Sequence, residues 1–192
     1  MRKKILVLDN YDSFTYNLVH YVNDFNGFAV NVIRNDKLTL DDTAEYDGII
    51  LSPGPGLPAD AGILTSVVEH CREKKRIFGV CLGMQAIAEV YGGSMLNLSS
   101  VFHGVATPVK ITQPPHYLFK KVPSVFEAGR YHSWVVNPQN LPEALKIEAT
   151  DNMGNIMALS HREIDICGVQ FHPESILTPL GKTIIKNWLD NF

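Results

Sequence analysis

The 192-residue sequence contains few cysteines, with only three, at positions 71, 81 and 167. An odd and widely spaced set matches neither a disulfide framework nor a zinc site built from paired C-x-x-C motifs. We therefore expect free thiols in a reducing compartment, the cytoplasm.

Long hydrophobic runs and an excess of positive charge are also missing. The apolar run behind the basic N-terminus covers only residues 5–8, which is too short for a signal peptide. No stretch approaches the roughly 18 apolar residues that a membrane span needs. The 17 Lys and Arg residues are outnumbered by 20 Asp and Glu residues, and the net charge is −3. We expect neither a membrane nor a nucleic acid as a partner.

The first ninety residues alternate between short apolar segments and segments with helical spacing of apolar residues. This alternation predicts a parallel sheet with helices on both faces. Ligands bind such sheets beyond the carboxyl ends of the strands. The predicted strands cover 4–9, 28–34, 48–52 and 76–80, and the predicted helices cover 13–25, 63–71 and 82–91.

After residue 93 the pattern changes to short β-type segments separated by Pro, Asn and Gly. They predict an antiparallel region that extends or covers the sheet, followed by a C-terminal helix with Thr178 as N-cap and Pro179 in its first position. No repeat or linker divides the chain. We predict one α/β domain, 1–192, with a mostly parallel central sheet flanked by helices and an additional antiparallel β region in its C-terminal half. The β-type segments lie at 105–112, 124–129, 145–150, 156–161 and 166–171.

The strongest chemical motif lies where the predicted strand 76–80 meets the helix 82–91. Residues 79–85 read Gly-Val-Cys-Leu-Gly-Met-Gln, which places Cys81 at a sharp strand–turn–helix junction like the nucleophile elbow of Gly-x-Ser-x-Gly. A helix N-terminus lowers the pKa of a nearby thiol. This context favours a nucleophile over a small buried apolar residue. Cys71 and Cys167 lack that context, and we interpret both as structural.

A cysteine nucleophile needs a base, and among the seven histidines His172 has the most suitable neighbours. Because Pro173 follows it, His172 should be extended. Glu174 should then lie on the same side of the chain and hold the imidazole tautomer, as a triad acid does. A surface His-Pro-Glu turn is the alternative. His132 lies in a Tyr-His-Ser-Trp run that could line a pocket, but no carboxylate is placed to orient it.

An acyl-transfer site also needs hydrogen-bond donors for an oxyanion. The Leu82 N–H is one donor by the elbow geometry, and the loop 52–56 can supply another from Gly56. The same loop loosely matches a dinucleotide-binding pattern. Pro55 and Pro58 carry no N–H, however, so the loop is a poor phosphate cradle.

Segments 53–56, 79–85 and 168–175 together resemble the class I (triad) glutamine amidotransferases, and the resemblance covers essentially the whole chain. Segments 9–17 and 130–134 look like one branch of that family. This branch comprises the small subunits (component II) of anthranilate synthase and of aminodeoxychorismate synthase. The branch usually has Lys after a His-Gly pair, where this chain has Val105. We expect this difference to alter contacts with the partner or loops near the glutamine site. The triad residues are unchanged.

The resemblance implies hydrolysis of glutamine to glutamate and ammonia through a thioester on Cys81, with His172 shuttling protons and Glu174 orienting it. It implies no cofactor or metal in this chain. It also implies a partner, the large subunit (component I), which binds chorismate, receives the ammonia and holds Mg²⁺. The residues at the family's glutamine-holding positions are Gly54, Gly56, Leu82, Gln85, Ser133 and Trp134.

Three alternatives stay open. The product of the partner is anthranilate, aminodeoxychorismate or both, because the partner decides it. The same elbow is compatible with a stand-alone γ-glutamyl hydrolase or peptidase. A catalytically silent binding subunit is a third reading, which the intact triad residues disfavour.

Overall fold

The computed structural model describes residues 2–192. This part of the chain contains eleven strands and four α-helices. None of its helices has both the length and the apolar character that a membrane crossing requires. The strands are β1 Lys3–Asp9, β2 Phe28–Arg34, β3 Gly48–Leu51, β4 Arg76–Val80, β5 Met95–Asn97, β6 Val105–Ile111, β7 Val125–Arg130, β8 Trp134–Val136, β9 Leu145–Thr150, β10 Ile156–His161 and β11 Ile166–Val169. The helices are α1 Thr15–Asn23, α2 Leu64–Cys71, α3 Leu82–Val90 and α4 Gly181–Leu189.

Nine strands form one sheet in the order β2-β1-β3-β4-β11-β10-β9-β6-β7. The pairs from β2 to β11 are parallel, and the pairs from β11 to β7 are antiparallel. The predicted α/β fold is confirmed, and the antiparallel region extends the sheet instead of covering it. Strands β5 and β8 pair as a separate antiparallel ribbon, which the sequence pattern did not predict.

Helices cover both faces of the parallel part, as the continuous apolar strands predicted. In β1, Ile5 and Val7 pack in the same cluster as residues of α1 and α4. The intervening Leu6 and Leu8 pack with residues of α2 and α3. Successive side chains of a strand point to opposite faces, so one buried strand contributes to two hydrophobic layers. These layers hold the carboxyl ends of the strands in fixed positions.

The start of the last helix differs from the prediction. Helix α4 begins at Gly181, with Leu180 at its N-cap and without a side-chain cap. The Thr178 hydroxyl instead donates to the His172 carbonyl at 2.6 Å and accepts from the Gly129 N–H at 2.9 Å. The N-cap prediction was wrong because two tertiary hydrogen bonds use the Thr178 side chain.

Candidate active site

The carboxyl ends of β1, β3 and β4 lie at one edge of the sheet. Beyond β1, the Asn10 N–H donates to Ser52 Oγ at 2.8 Å and the Asn10 side-chain amide donates to the Ser52 carbonyl at 2.9 Å. These buried bonds fix the start of the loop 52–56. That loop packs against the start of α3, since a Cβ added at Gly54 would lie 2.8 Å from Leu82 Cδ2. Two chain segments that are distant in sequence therefore form one wall.

Cys81 occupies the turn between β4 and α3 with φ 52° and ψ −104°. This is a backbone conformation that residues other than glycine rarely adopt. The Cys81 N–H donates to the Val169 carbonyl at 2.8 Å, and its carbonyl accepts from the Gln85 N–H at 3.1 Å. The turn packs so closely on β3 that a Cβ at Gly83 would lie 2.5 Å from the Leu51 carbonyl oxygen. The structure therefore has the predicted strand–turn–helix elbow, with a strained residue at its tip.

The N-terminus of α3 points its free N–H groups toward the region of Cys81. Leu82 is the first helical residue, and the first N–H groups of a helix have no partner within the helix. Aligned peptide dipoles also make this end partly positive. Negative charge that develops on the Cys81 sulfur, or on an oxygen bound next to it, is therefore stabilised here.

His172 and Glu174 form a buried pair. The imidazole Nδ1 lies 2.7 Å from Glu174 Oε1, and the two side chains are 3% and 0% exposed. Because an ionised carboxylate can only accept, Nδ1 carries the hydrogen and Nε2 is the other, chemically available nitrogen. Burial by itself lowers the pKa of His172, but interactions with Cys81 and Glu174 outweigh burial and raise this pKa well above its usual value. Within residues 2–192, Nε2 has no hydrogen-bond partner of its own.

The backbone around His172 differs from the predicted extended segment. The Ser175 N–H donates to the His172 carbonyl at 3.2 Å, which closes a turn, and the His172 N–H donates to the Gly129 carbonyl at 2.9 Å. Pro173 and Glu174 lie within this turn, so the predicted extended segment does not continue past His172, and Glu174 reaches the imidazole from within the turn. Tyr131 covers the imidazole, with ring centroids 4.8 Å apart, and its hydroxyl lies 3.0 Å from Ser175 Oγ.

Two cavities meet at Cys81. The smaller has a volume of about 240 Å³, and Cys81 is part of its lining. The larger has a volume of about 400 Å³, and its lining includes Cys81, Tyr11 and His172. Leu82 does not line the smaller cavity and is only 1% exposed. The structure brings the remaining predicted glutamine-holding residues together on the smaller cavity, namely Gly54, Gly56, Gln85, Ser133 and Trp134.

A buried polar network supports the far wall of the smaller cavity. Arg130 donates from Nη1 to Asp151 Oδ2 at 2.8 Å and from Nε to His132 Nε2 at 3.1 Å. His132 Nδ1 lies 3.1 Å from the Trp134 carbonyl oxygen. Burial and the neighbouring Arg130 charge lower the pKa of His132 to about 3, so the imidazole is neutral. Its orienting partner is an arginine, which sequence reasoning did not identify.

Gln170 is a further residue of the site that sequence reasoning missed. It follows β11 directly, is 0% exposed, and places Nε2 3.4 Å from the Cys81 sulfur. Its Oε1 accepts from Gln85 Nε2 at 3.2 Å, and the same Gln85 nitrogen donates to the Trp134 carbonyl at 2.9 Å. The segment 168–175 contains Gln170, but a strand-like pattern does not say where a buried amide points.

The family model for class I glutamine amidotransferases matches residues 6–192. The chain belongs to the class I glutamine amidotransferases. It is 41% identical over 190 residues to the aminodeoxychorismate/anthranilate synthase component 2 of Bacillus subtilis strain 168, which covers 98% of this chain and 96% of that protein. It is 43% identical over 191 residues to the anthranilate synthase component 2 of Mycobacterium tuberculosis strain H37Rv, covering 97% and 81%.

A solved structure has the same fold. A putative GMP synthase protein from Thermoplasma acidophilum superimposes on this amidotransferase with a TM-score of 0.88 at 25% sequence identity, covering 99% of this chain and 94% of that one. The family model and the two relatives confirm the family resemblance expected from segments 53–56, 79–85 and 168–175.

The remaining thiols of the amidotransferase lie away from this site. Cys71 and Cys167 are free and buried, and burial raises the pKa of both. A raised pKa favours the protonated and unreactive form. In the part of the chain that the structure describes, no group of three or more His, Cys, Asp or Glu side chains is arranged to hold a metal ion.

Proposed function

We propose that this chain is the glutaminase subunit of a chorismate-using synthase. It hydrolyses glutamine to glutamate and ammonia and delivers the ammonia to the partner. The observation that carries the proposal is the position of Cys81. It lies at a strained turn before α3 and lines both a cavity suited to a small ligand and the cavity of His172.

In the first step, the Cys81 thiolate attacks the side-chain amide carbon of glutamine. The amide oxygen takes up negative charge and accepts hydrogen bonds from the Leu82 N–H and from the loop 52–56, for which we keep Gly56 as the donor. The departing nitrogen takes a proton from His172 Nε2 and leaves as ammonia. A γ-glutamyl thioester remains on the sulfur.

In the second step, water gives a proton to His172 Nε2 and its oxygen attacks the thioester carbon. The carbon–sulfur bond breaks, Cys81 is regenerated as a thiolate, and glutamate is released. Glu174 accepts a hydrogen bond from the Nδ1–H group of His172 throughout, because Nδ1 and Glu174 Oε1 lie 2.7 Å apart in a buried pair. That hydrogen bond keeps Nε2 as the nitrogen that exchanges protons.

The smaller cavity suits a single amino acid. Its volume of about 240 Å³ is below the roughly 300–1,000 Å³ of sites for drug-sized ligands. Both amide hydrogens of Gln85 are used by Trp134 and Gln170, so Oε1 is the Gln85 atom left for a ligand. An acceptor at this position suits the ammonium group of glutamine.

We place the partner on the side of the larger cavity. His172 protonates the leaving nitrogen, so ammonia forms where His172 lines the 400 Å³ cavity. Tyr11 lines this cavity, and the exposed residues Tyr16 and Ile176 follow the lining residues Phe14 and His172 by two and four positions in the chain. Exposed apolar side chains of this kind are typical of a docking surface. Tyr11 is 52% exposed, Tyr16 60% and Ile176 93%. Val105, where the branch usually has Lys, is 47% exposed, and we count it among the candidate partner contacts.

The names of the relatives support a two-component enzyme. They give anthranilate and aminodeoxychorismate synthase component 2. We propose anthranilate synthesis as the function, with aminodeoxychorismate synthesis, or both, as the alternative. The Mg²⁺ and the chorismate site belong to component I in this proposal.

The proposal is tested first by glutaminase assays of wild type, Cys81→Ser and Cys71→Ser. We expect Cys81→Ser to lose activity by about 10³-fold or more. Cys71→Ser, a change at a buried thiol of α2, should keep activity near wild type. Comparable activity in Cys81→Ser and wild type would contradict the assigned nucleophile.

A second test adds the large subunit of anthranilate or of aminodeoxychorismate synthase. We expect low glutaminase activity alone and higher activity with the correct partner. Tyr16→Asp should reduce glutamine-dependent synthesis and leave synthesis from added ammonium chloride intact. Hydrolysis of γ-glutamyl peptides that no partner changes would instead favour the stand-alone hydrolase.

A further inference from the structure

We propose that Gln170 is a catalytic residue whose amide N–H stabilises the Cys81 thiolate. We also propose that a fixed chain of hydrogen bonds starting at the Trp134 carbonyl sets the direction of this amide. The inference rests on the proposed function of Cys81 as the nucleophile. It extends that function by adding a donor on the sulfur itself, separate from the oxyanion donors and from His172.

The direction of the amide follows from which groups can donate. A backbone carbonyl only accepts, so the Gln85 atom 2.9 Å from the Trp134 oxygen is Nε2. The second hydrogen of that nitrogen points at Gln170, 3.2 Å away, which must present its Oε1. The other branch of the Gln170 amide is then Nε2, the atom 3.4 Å from the Cys81 sulfur. A reversed Gln170 amide would place two donors face to face and an acceptor against the thiolate.

The Trp134 carbonyl, where this series of hydrogen bonds starts, is itself held in place. The Trp134 carbonyl also accepts from His132, whose other ring nitrogen accepts from Arg130. Arg130 is held by Asp151 at 2.8 Å, and the Arg130 and Asp151 side chains are 2% and 4% exposed. The polarity of the chain is therefore set in the folded protein before glutamine enters, as preorganised catalytic dipoles require.

An N–H directed at sulfur favours the thiolate over the thiol, because hydrogen bonding to a charged form stabilises that form. The same donor acts in the second step, when the carbon–sulfur bond breaks and negative charge returns to sulfur. The Gln170 amide is neutral and buried, so it stays in place while His172 gains and loses its proton. His172 therefore transfers protons next to the Cys81 sulfur, whereas Gln170 donates a hydrogen bond to that sulfur.

The test measures how fast iodoacetamide alkylates Cys81 as a function of pH, without glutamine, with mass spectrometry to identify the modified cysteine. Gln170→Met removes the donor and keeps a similar volume. We expect the pH midpoint of alkylation to rise by about one unit and kcat to fall about tenfold, with the KM for glutamine changed much less. Gln85→Met, which removes the group that orients Gln170, should move the midpoint in the same direction by less and also raise KM.

Asn187→Leu is the matched control. It removes another buried amide, 9% exposed, whose nitrogen donates to the Leu118 and Lys120 carbonyls. This variant should lose stability and keep the wild-type midpoint. Folded Gln170→Met and Gln85→Met variants with the wild-type midpoint would overturn the inference. Failure of the proposed function is seen separately, as wild-type protein that has no glutaminase activity even with the large subunit present, because alkylation requires no turnover.

Discussion

The parallel and antiparallel halves of the sheet hold their parts of the site by different interactions. The parallel half relies on aliphatic packing and close backbone contact, as where a Cβ at Gly83 would meet the Leu51 carbonyl at 2.5 Å. The antiparallel half contains buried charge, with Arg130 and Glu148 each 1% exposed. The first half presents the candidate nucleophile, and the second supports the cavity wall and the backbone of His172.

This difference separates two ways of placing a reactive group. A backbone turn needs small residues at points of close approach, and the turn at Cys81 is held by its close packing on β3 and by the Val169 carbonyl of β11. A side-chain network can also fix the direction of amides and imidazoles, as Arg130 does for His132. Removal of one member of such a network destabilises the protein, because it leaves a buried polar group without its hydrogen-bond partner.

The largest effect is expected from breaking the buried ion pair. Asp151→Ala leaves the Arg130 charge buried without its partner, which typically costs about 3–5 kcal/mol. Urea unfolding at pH 7 measures this loss of unfolding free energy, and the KM for glutamine should rise because the cavity wall loosens. Glu148→Gln is the control, since its partner Lys146 is 39% exposed and stays solvated. Equal losses in the two variants would contradict the role of the Arg130 network.

The parallel half should respond to added volume. Gly83→Ala forces a Cβ onto the Leu51 carbonyl, and we expect a loss of about 3 kcal/mol of unfolding free energy together with lower activity. Gly154→Ala is the control, because a Cβ there meets nothing within 4 Å and only its φ of +83° opposes the change. Its loss should be about 1 kcal/mol, with activity unchanged. A neutral Gly83→Ala would show that the elbow has room to relax.

Removing the hydrogen bonds of the Thr178 side chain should have a smaller effect. Thr178→Val removes the hydroxyl that joins the Gly129 N–H to the His172 carbonyl. We expect a loss of about 1–2 kcal/mol in unfolding free energy and a drop in kcat with little change in KM. Thr178→Ser keeps the hydroxyl and should restore kcat. A Val variant with wild-type kcat would show that His172 does not need this support.

The smallest effect is a difference in pH dependence. The pKa of His172 is raised overall, so its contribution to stability is complete below its unfolded pKa of about 6.5 and is lost as pH rises through the folded pKa. Burial opposes ionisation of Asp151, but bonds with Asn155 and Met153 and the Arg130 charge lower the pKa of Asp151 overall. Its contribution is present above about pH 3.9 and is lost as pH falls through the folded pKa.

Urea unfolding of wild type and His172→Gln from pH 5.5 to 9.5 tests the expected pH dependence of the His172 contribution. The stability difference between the two should shrink as pH rises. A difference that grows with pH would contradict the raised pKa of His172. For Asp151→Asn the stability difference from wild type should stay constant across this range and shrink only on acidification below about pH 3.9.

Features that depend on neighbouring residues were predictable, and those that depend on distant ones were not. The strands up to residue 80 and the turn at Cys81 follow from local apolar runs and paired glycines. The segment expected to be extended through Glu174 is a turn closed by the Ser175 N–H and the His172 carbonyl. Thr178 and Gly129 hold the His172 backbone in this position, and the local residue pattern does not show these contacts. The β5–β8 ribbon joins segments whose apolar pattern is too short to identify.

By itself, the sequence determined the α/β class, the elbow at Cys81 and the family, because each follows from patterns and motifs within contiguous segments. Only the tertiary structure decided the direction of the Gln170 amide. That direction depends on Asp151, Arg130, Trp134 and Gln85, which lie far from Gln170 in the chain. A donor or acceptor assignment in a buried amide requires knowing which fixed carbonyl starts the chain of bonds, and only folding brings that carbonyl into place.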